Sequence, residues 1–332
     1  MSSVAVRIFH PQPRPQAGPL EIALAAARLT LARRHEASFR RVTNDVAVVS
    51  GAADGTPFGE RLRTLVAAER PGGIVVLGSG GLALATAADL RLFVDVASAG
   101  GRVALANNRY SADAVAISCA ESLLDLPDLP SDNALPRWLE EAAGYEVRDL
   151  ARRWRLGIDL DSPLDVALIS GGDERLARVA AVAADRRAEL LVAGRTSATT
   201  MRWLEQHVAA RVRVLAEERG MKTSMAAQRP PRSVLGLVLD RDGPAAFGSM
   251  MATLGDAALV DSRVLLAHRF GADEAAWPPP EDRFASDLLF PEFIADPWLR
   301  ALTESARSAP IPIVLGGHTL VGPGVRLALR PR

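Results

Sequence analysis

Short apolar runs that alternate with longer amphipathic stretches constrain the fold of this chain of 332 residues more than any other feature. Residues 74–77 and 313–315 are apolar throughout, as strands are when both faces of their sheet are covered. Stretches with helical spacing, such as residues 19–35 and 297–308, stand between such runs. Strands that alternate with helices form parallel sheets covered on both faces, so the sequence predicts an α/β protein.

The same patterns predict the individual elements. The predicted strands are residues 4–9, 46–49, 74–77, 102–106, 112–118, 145–150, 189–193, 212–216, 234–239, 257–260 and 311–315. The predicted helices are residues 19–35, 57–69, 86–99, 136–143, a helix from residue 163, and residues 197–207, 244–254 and 297–308. Thr86 and Ser162 are the expected N-caps of two of these helices, with Pro163 at a first helical position. Residues 222–232 predict an exposed connection.

The length of the chain predicts two domains, because 332 residues exceed what one ordinary core supports. The pattern of strands and helices restarts after Gly171 and Gly172. We therefore expect one α/β domain over residues 1–175 and an independent, doubly wound α/β domain over residues 176–332.

Composition excludes several classes of function. The 39 Lys and Arg balance the 39 Asp and Glu, which predicts no nucleic-acid partner, because such binding requires a basic surplus. The chain has no apolar run long enough to span a membrane and no signal peptide at its first residues, so we expect a cytoplasmic protein. Cys119 is the only cysteine, so neither an internal disulfide nor a cysteine-based zinc cluster can form.

Lysine is almost absent, which limits how the protein can bind anions. Lys222 is the only lysine, so a GxxxxGK phosphate loop is impossible and any Schiff-base lysine would have to be this residue. We expect arginine forks, backbone amides or a metal ion to hold any anionic ligand.

Three segments of the first half carry a resemblance to a known family, in the family's order. They are residues 76–90 (VLGSGGLALATAADL), residues 106–115 (ANNRYSADAV) and residues 159–166 (DLDSPLDV). The first looks like a strand ending in Gly-Asp-x-Pro-Leu followed by a Thr-Pro-x-Asp-Leu helix start, and the third is close to Asp-x-Asp-Thr-Pro-x-Asp-Leu. Residues 1–175 thus resemble the MobA-like nucleotidyltransferases of GT-A type fold, and within them the 2-phospho-lactate guanylyltransferase group.

The resemblance implies a reaction and a metal ion. In the family, Mg²⁺ held by carboxylates at the carboxyl ends of two strands bridges the phosphates of a nucleoside triphosphate. A substrate phosphate or hydroxyl attacks the α-phosphorus, and pyrophosphate leaves. Asp159 and Asp161 occupy the positions of the later metal carboxylates. Alternate residues of an extended segment face opposite ways, so we expect one of them to reach the metal and prefer Asp161 as the catalytic residue. A helix cap with charge that complements the helix dipole is the structural alternative.

The chain departs from the family at two places. Gly81 stands where the family has its first metal-binding aspartate, and the loop of residues 10–18 contains prolines, which lack amide donors for a phosphate. Arg14 is the cation in that loop.

The other substrate contacts that we predict in the first half follow its strands. The amides of Ser79, Gly80 and Gly81 could cradle a phosphate at the carboxyl end of a strand, or simply form a turn. Asn107, Asn108 and Arg109 could contact a base or sugar, or form a polar turn. 

The second half, for which we recognise no family, offers its own polar residues after predicted strands. Arg195 precedes a helix start that suits an anion, and Asp240 lies at a comparable predicted junction. His318 follows the last strand, where it could serve acid–base chemistry, and Asp256, Asp261 and Arg263 flank the strand before it. Ordinary helix capping is the alternative for Arg195 and Asp240, and a simple ion pair is the alternative for Asp256, Asp261 and Arg263. For His318 the alternative is a histidine without a function.

We therefore expect a nucleotidyltransferase-like protein that binds a nucleotide or nucleotide-linked metabolite with Mg²⁺. An active enzyme would transfer a nucleotidyl group to a small phosphorylated acid or sugar. Two alternatives stay open: a catalytically silent nucleotide-binding regulatory or partner subunit, and an enzyme whose active site combines His318 with Asp240 or Asp261. The expected partners are small molecules, with neither nucleic acid nor membrane, and a homo-oligomer is left open.

Overall fold

A computed structural model of the chain describes residues 3–51, 54–217 and 230–330. Their contacts form two compact units. Unit 1 holds the described residues of Met1–Ala17 and Ile22–Leu160, and unit 2 holds Gly18–Glu21 and the described residues of Asp161–Arg332. The contacts thus divide the chain after residue 160, whereas the pattern of the sequence predicts a boundary after residue 175. This division separates Asp159 from Asp161.

Unit 1 contains a six-stranded sheet in the order β2-β1-β3-β5-β4-β6. Its strands are β1 (Val4–Pro11), β2 (Asp45–Gly51), β3 (Gly73–Gly78), β4 (Val103–Ala106), β5 (Ala114–Ser118) and β6 (Glu146–Asp149). Its helices are α1 (Pro19–Phe39), whose first residues belong to unit 2, α2 (Phe58–Glu69), α3 (Ala87–Ala97) and α4 (Leu135–Glu141). Short 3-10 helices occupy Ala120–Asp125, Asp132–Ala134 and Trp154–Gly157.

One strand of this sheet differs from the parallel arrangement that the sequence predicts. β5 runs antiparallel to β3 and to β4. The connection between β4 and β5, residues 107–113, is too short for the helical crossover that parallel neighbours need. Unit 1 is therefore a mixed sheet, and the α/β class is confirmed.

Helices cover both faces of the unit 1 sheet. On one face, Val75 and Leu77 of β3 pack with α1 and α3 residues such as Phe39 and Phe93. On the other, the neighbouring β3 residues Ile74 and Val76 pack with α2 and α4. Side chains of a strand alternate between the faces, so an entirely apolar β3 follows from burial on both sides.

Unit 2 contains a four-stranded parallel sheet in the order β10-β9-β7-β8. Its strands are β7 (Glu189–Gly194), β8 (Arg211–Ala216), β9 (Ala257–Asp261) and β10 (Ile313–Gly316). Its first helices are α5 (Pro163–Ser170), α6 (Glu174–Ala183), α7 (Ala198–His207), α8 (Val234–Asp242) and α9 (Phe247–Leu254). The later ones are α10 (Ser262–Phe270), α11 (Pro280–Asp287), α12 (Pro297–Arg307), α13 (His318–Val321) and α14 (Val325–Ala328).

This sheet also has helices on both faces. α8, α9 and α12 pack against Leu191 of β7 and Val260 of β9 on one face. α6 contacts β7, β9 and β10, and the alternate residues Leu190 and Leu259 are completely buried. The near-continuous apolar character of these strands has the same cause as in unit 1.

The predicted strand 234–239 is wrong, because these residues form the first part of α8. Leu235 and Leu239, four residues apart, are buried, while Val234 and Leu237 are exposed, which is the burial pattern of a surface helix. Ser233 caps α8 by accepting a hydrogen bond from the amide of Gly236 at 3.0 Å. A short apolar run does not distinguish a strand from one face of a helix, which is why the sequence pattern predicts a strand here.

The same correction moves Asp240, which lies inside α8 and not after a strand. Its carboxylate accepts a hydrogen bond from Nε2 of His268 in α10 at 2.9 Å. Nδ1 of His268 accepts from the amide of Ser233 at 2.9 Å, so both ring nitrogens have structural partners. Asp240 is therefore engaged by His268, whereas the sequence suggested a pairing with His318.

The predicted caps are confirmed. Thr86 caps α3 in a capping box with Asp89, and Ser162 caps α5 in a second box with Asp165, with Pro163 as the first helical residue. The sequence pattern does not predict helices α6, α10, α11, α13 and α14. Lys222 and most of the predicted connection 222–232 lie outside the described residues.

Two further features concern the surface and size of the elements. Cys119 is exposed and follows β5 in a left-handed conformation, with φ of 49°.

Within the part of the chain that the structure describes, no helix is long and apolar enough to cross a membrane.

Candidate functional site

The turn after β3, residues 78–81, lies at the carboxyl edge of the unit 1 sheet. The amide of Ser79 donates to the carbonyl of Phe9 in β1 at 2.9 Å, and the amide of Gly81 donates to that of Gly78 at 3.1 Å. Ser79 is buried, with its hydroxyl 3.1 Å from Nδ1 of His10. The predicted phosphate-binding turn is therefore fixed to the end of β1 as well as to β3.

The start of the third segment of the resemblance, together with Ile158 before it, pairs with this turn. The amide of Leu160 donates to the carbonyl of Gly80, and the amide of Ala83 donates to that of Ile158, each at 3.1 Å. Two segments far apart in the sequence thus meet inside unit 1, at the edge where open α/β sheets bind ligands.

Gly80 brings a carboxylate and a guanidinium close to the backbone of the turn. A Cβ atom on Gly80 would lie 2.7 Å from Oδ1 of Asp159 and 3.1 Å from Nε of Arg28. Nε of Arg28, on α1, also donates to the carbonyl of Leu160 at 2.6 Å. A side chain at Gly80 would displace the Asp159 carboxylate and crowd Arg28, so glycine permits this close approach.

Gly81 is packed as tightly, against a different carboxylate residue. A Cβ on Gly81 would lie 2.9 Å from Cβ of Asp113. The carbonyl of Gly81 accepts from Nε2 of His35 at 3.1 Å, and burial lowers the pKa of this histidine to about 4, so it stays neutral. A Cβ on Gly78, in contrast, would meet no atom within 4 Å, which leaves open space beside the end of β3.

The charges around the turn are mainly cationic on the side of α1. Burial lowers the pKa of His10, and the charges of Arg28 and Arg33 lower it further. Cations that act on a group at the end of β1 would also act on an anion bound there.

The predicted contacts in the 107–109 loop are used within unit 1. Asn107 is buried, and its amide donates to the Asp113 carboxylate at 2.8 Å and to the carbonyl of Leu156 at 3.0 Å. The Asn108 carboxamide accepts from the amide of Tyr110 at 2.9 Å, and Arg109 forms an ion pair with Glu140 of α4. These contacts give all three residues structural roles.

The two predicted residues of the first half not yet described, Arg14 and Asp161, are both exposed. Arg14 lies in the loop after β1. Asp161 belongs to unit 2, where its amide donates to Oδ2 of Asp165 at 3.0 Å.

Sequence reasoning did not single out Arg28, His10 or Asp113. Arg28 lies in the middle of a helix, and no local motif separates it from the other arginines of α1. The position of Asp113, just before β5 and within the second segment of the resemblance, is a signal that could have identified it.

The carboxyl edge of the unit 2 sheet brings together three of the six residues predicted in the second half, Arg195, Asp261 and His318. Arg195 follows β7 and Asp261 ends β9, and the two form a forked ion pair with Nε to Oδ2 at 2.6 Å and Nη2 to Oδ1 at 3.1 Å. The Asp261 side chain is completely buried. Such forked pairs hold both side chains in one geometry.

His318 joins this edge from the end of β10. Its Nδ1 donates to the carbonyl of Arg195 at 3.0 Å, which leaves the lone pair of the neutral ring on Nε2. Part of the ring faces solvent, yet surrounding protein desolvates it and, with the charge of Arg195, lowers the pKa of His318; Asp261 and Asp161 oppose this shift. The ring is thus a neutral proton acceptor at neutral pH.

Asp256 lies away from this edge, at the start of β9, where its carboxylate accepts from the amide of Glu189 at 2.8 Å. Arg263 forms a buried fork with Asp287 of α11, at 2.8 and 2.6 Å. The Arg263 pair fits the ion-pair alternative, whereas Asp256 binds a backbone amide.

The arrangement of carboxylate, imidazole and thiol side chains decides whether the protein can bind a metal ion. Over residues 3–51, 54–217 and 230–330, the structure gathers no group of three or more His, Cys, Asp or Glu able to hold a metal ion. Mg²⁺ commonly needs only one or two protein carboxylates, since phosphate oxygens and water complete its shell. Asp159 and Asp113, beside adjacent glycines of the turn, fit that smaller requirement.

Comparison with models of known protein families gives no match for this chain, and comparison with curated proteins gives none either.

Proposed function

We propose that unit 1 is a nucleotidyltransferase-like domain that binds a nucleotide or nucleotide-linked metabolite at the carboxyl edge of β1 and β3. The observation that carries the proposal is the approach of Asp159 and Arg28 to the backbone of Gly80. A phosphate at this edge would find a guanidinium and open space beside Gly78. The amides of Gly78, Ser79 and Gly81 already donate to carbonyls within unit 1. Asp159 and Asp113 are the carboxylates that would hold Mg²⁺, which would neutralise phosphate charge.

A calorimetric titration of the full chain with GTP, ATP, CTP and UTP, each with and without Mg²⁺, tests this proposal. We expect at least one nucleotide to bind, and we expect Arg28→Lys and Asp159→Asn to weaken binding about tenfold or more, since a charged hydrogen bond is worth roughly 1.5–3 kcal/mol. Arg91→Lys and Asp95→Asn are the matched controls, because both residues are exposed on α3 of the same unit. Binding of no nucleotide, or equal weakening in the control variants, would refute the proposal.

Binding without nucleotidyl transfer is a second candidate function, and specific contacts favour it. Asn107 and Arg109, the predicted substrate contacts, are engaged by Asp113, Leu156 and Glu140. Gly81 supplies no carboxylate where the family has one. A nucleotide that binds in calorimetry but releases no pyrophosphate with phosphorylated acids or sugars would establish this second function, whereas pyrophosphate release that Asp159→Asn abolishes would exclude it.

A further inference from the structure

The unit 2 sheet has a topological switch point between β7 and β9. From β7 the chain passes through α7 to β8 on one side, whereas β9, on the other side of β7, connects onward to β10. The two connections leave in opposite directions, which opens a crevice outside the carboxyl ends of β7 and β9. In open α/β sheets this crevice is where ligands bind.

Arg195 and Asp261 stand at the two strand ends that flank this crevice. The carboxylate of Asp261 holds Nε and Nη2 of Arg195, and it also accepts from the amide of Arg263 at 3.2 Å. Nη1 of Arg195 has no acceptor in the described part of the chain. About 15% of the surface of the Arg195 side chain is accessible to solvent. The guanidinium is therefore fixed in place by a buried carboxylate and keeps donor capacity for a ligand.

The backbone at the start of α7 adds donors beside Arg195. Gly194 has a φ of +130°, and a Cβ there would lie 2.3 Å from Cβ of Asp261, so a side chain at this position would block the approach of the two strand ends. Ser197 accepts from the amide of Thr200 at 3.1 Å. The amides of Ala198 and Thr199 have no acceptor among residues 3–51, 54–217 and 230–330.

His318 supplies an acceptor beside the backbone of Arg195. Its Nδ1 bond to the carbonyl of Arg195 fixes the ring and leaves Nε2 able to accept a proton or hydrogen bond. A Cβ on the preceding Gly317 would meet no atom within 4 Å, which leaves open space beside the ring.

We infer that this edge, defined by Arg195, Ala198, Thr199 and His318 and called here the switch-point site, binds the phosphate group of a small phosphorylated metabolite. The guanidinium of Arg195 and the amides of Ala198 and Thr199 donate to the phosphate oxygens. Nε2 of His318 accepts from a hydroxyl group of the same ligand. The switch-point site lies within unit 2 and does not depend on the nucleotide site proposed for unit 1.

Histidine NMR of the full chain, titrated with inorganic phosphate at constant ionic strength, tests the inference. The chain supplies an internal control in His207, whose Nδ1 also donates to a backbone carbonyl, that of Trp203 at 2.9 Å, but at the far end of α7. We expect the ring resonances of His318 to shift saturably, while those of His207 stay unchanged. No shift of His318 at tens of millimolar phosphate, or parallel shifts of both rings, would overturn the inference.

Two variants show whether Arg195 acts as the phosphate donor. Arg195→Lys keeps the charge beside buried Asp261 but loses the fork, and we expect it to weaken phosphate binding about tenfold. Arg202→Lys, at an exposed arginine on the same helix, should leave the affinity unchanged. Equal affinities of the two folded variants would overturn the role of Arg195.

Glycerol phosphate tests the role of His318 and remains informative if Arg195→Lys does not fold. Its hydroxyl groups can donate to Nε2, so we expect tighter binding of glycerol phosphate than of inorganic phosphate. In His318→Asn, whose amide can still donate to the Arg195 carbonyl, this difference should disappear. Equal binding of the two phosphates to the unaltered protein would overturn the assignment of Nε2 as a ligand acceptor.

Discussion

Asp89 and Asp165 occupy the same position of two capping boxes but differ in pKa because of their neighbours. Burial alone would raise the pKa of Asp89, yet the hydrogen bonds from Thr86 and the guanidinium of Arg153 hold it below its usual range. Asp165 is buried and forms no ion pair with an arginine among the described residues. Burial together with the charges of Asp161 and Asp287 raises its pKa to about 7. Its Oδ2 accepts from Ser162 and from the amide of Asp161, so its proton is carried on Oδ1.

We predict that Asp165→Asn stabilises the protein at pH 8 but not at pH 5. The folded state holds a proton on Asp165 that the unfolded state releases above a pKa of about 3.8, so the stability from this group is complete below that pH and is lost as the pH rises through about 7. The loss amounts to at most about 4 kcal/mol, since each pKa unit corresponds to about 1.4 kcal/mol. Urea unfolding at both pH values measures the part of this loss that falls between pH 5 and pH 8, about 3 kcal/mol.

Asp89→Asn is the matched control for this prediction, because the carboxylate of Asp89 is charged at both pH values. We expect it to lower the free energy of unfolding at pH 5 and at pH 8 alike, since it removes the pair with Arg153. A gain from Asp165→Asn that is the same at the two pH values would contradict the raised pKa.

The buried pair of Arg263 and Asp287 leads to a second prediction at the residue scale. Arg263→Met leaves Asp287 buried without its fork, and we expect a loss of about 3–5 kcal/mol in the free energy of unfolding. The double variant Arg263→Met with Asp287→Leu should recover part of this loss, because no buried charge is left uncompensated. A double variant less stable than Arg263→Met would show that the charges themselves are required.

Individual elements show what the sequence could and could not predict. The strands of both sheets and most helices follow from apolar runs and caps, and the starts of α3 and α5 were predicted from Thr86, Ser162 and Pro163. The antiparallel direction of β5 was missed, because pairing direction is a tertiary property that a run of apolar residues does not encode.

The candidate sites could be predicted only in part, for the same reason. Arg195, Asp261 and His318 follow predicted strands, so the topology brings them together. Arg28 reaches Gly80 from the middle of α1, and no local pattern predicts that contact. The two asparagines and the arginine of the 107–109 loop look like ligand residues in the sequence, and only the structure identifies their partners within unit 1.

The cap of α3 provides a prediction at the scale of an element. Thr86→Ala removes the side chain that accepts from the amide of Asp89, and we expect the free energy of unfolding to fall by about 1 kcal/mol. Ser98→Ala, at an exposed residue after the other end of α3, should change it by less than about 0.5 kcal/mol. Urea denaturation of both variants measures the two changes in the free energy of unfolding. Equal losses would contradict a stabilising role of the Thr86 cap.

At the scale of the whole molecule, charge balance is the property that acts over both units. The chain carries 39 basic and 39 acidic side chains, so its formal net charge at pH 7 is zero. Molecules without net charge lack the mutual repulsion that opposes association.

We therefore predict that the solubility of the protein is lowest near pH 7 and rises on both sides. Precipitation by polyethylene glycol at a series of pH values from acid to alkaline measures this dependence. A solubility that changes in one direction through neutral pH would contradict the prediction.

The exposed thiol of Cys119 makes this protein simple to label at one point. Because the chain has one cysteine, a maleimide dye attaches once per molecule and at a known place in unit 1, with no need for cysteine-free variants. Because Lys222 is the only lysine, amine-reactive dyes have one side-chain target besides the amino terminus. Two orthogonal colours can therefore be placed on the unaltered sequence, which suits it to single-molecule fluorescence.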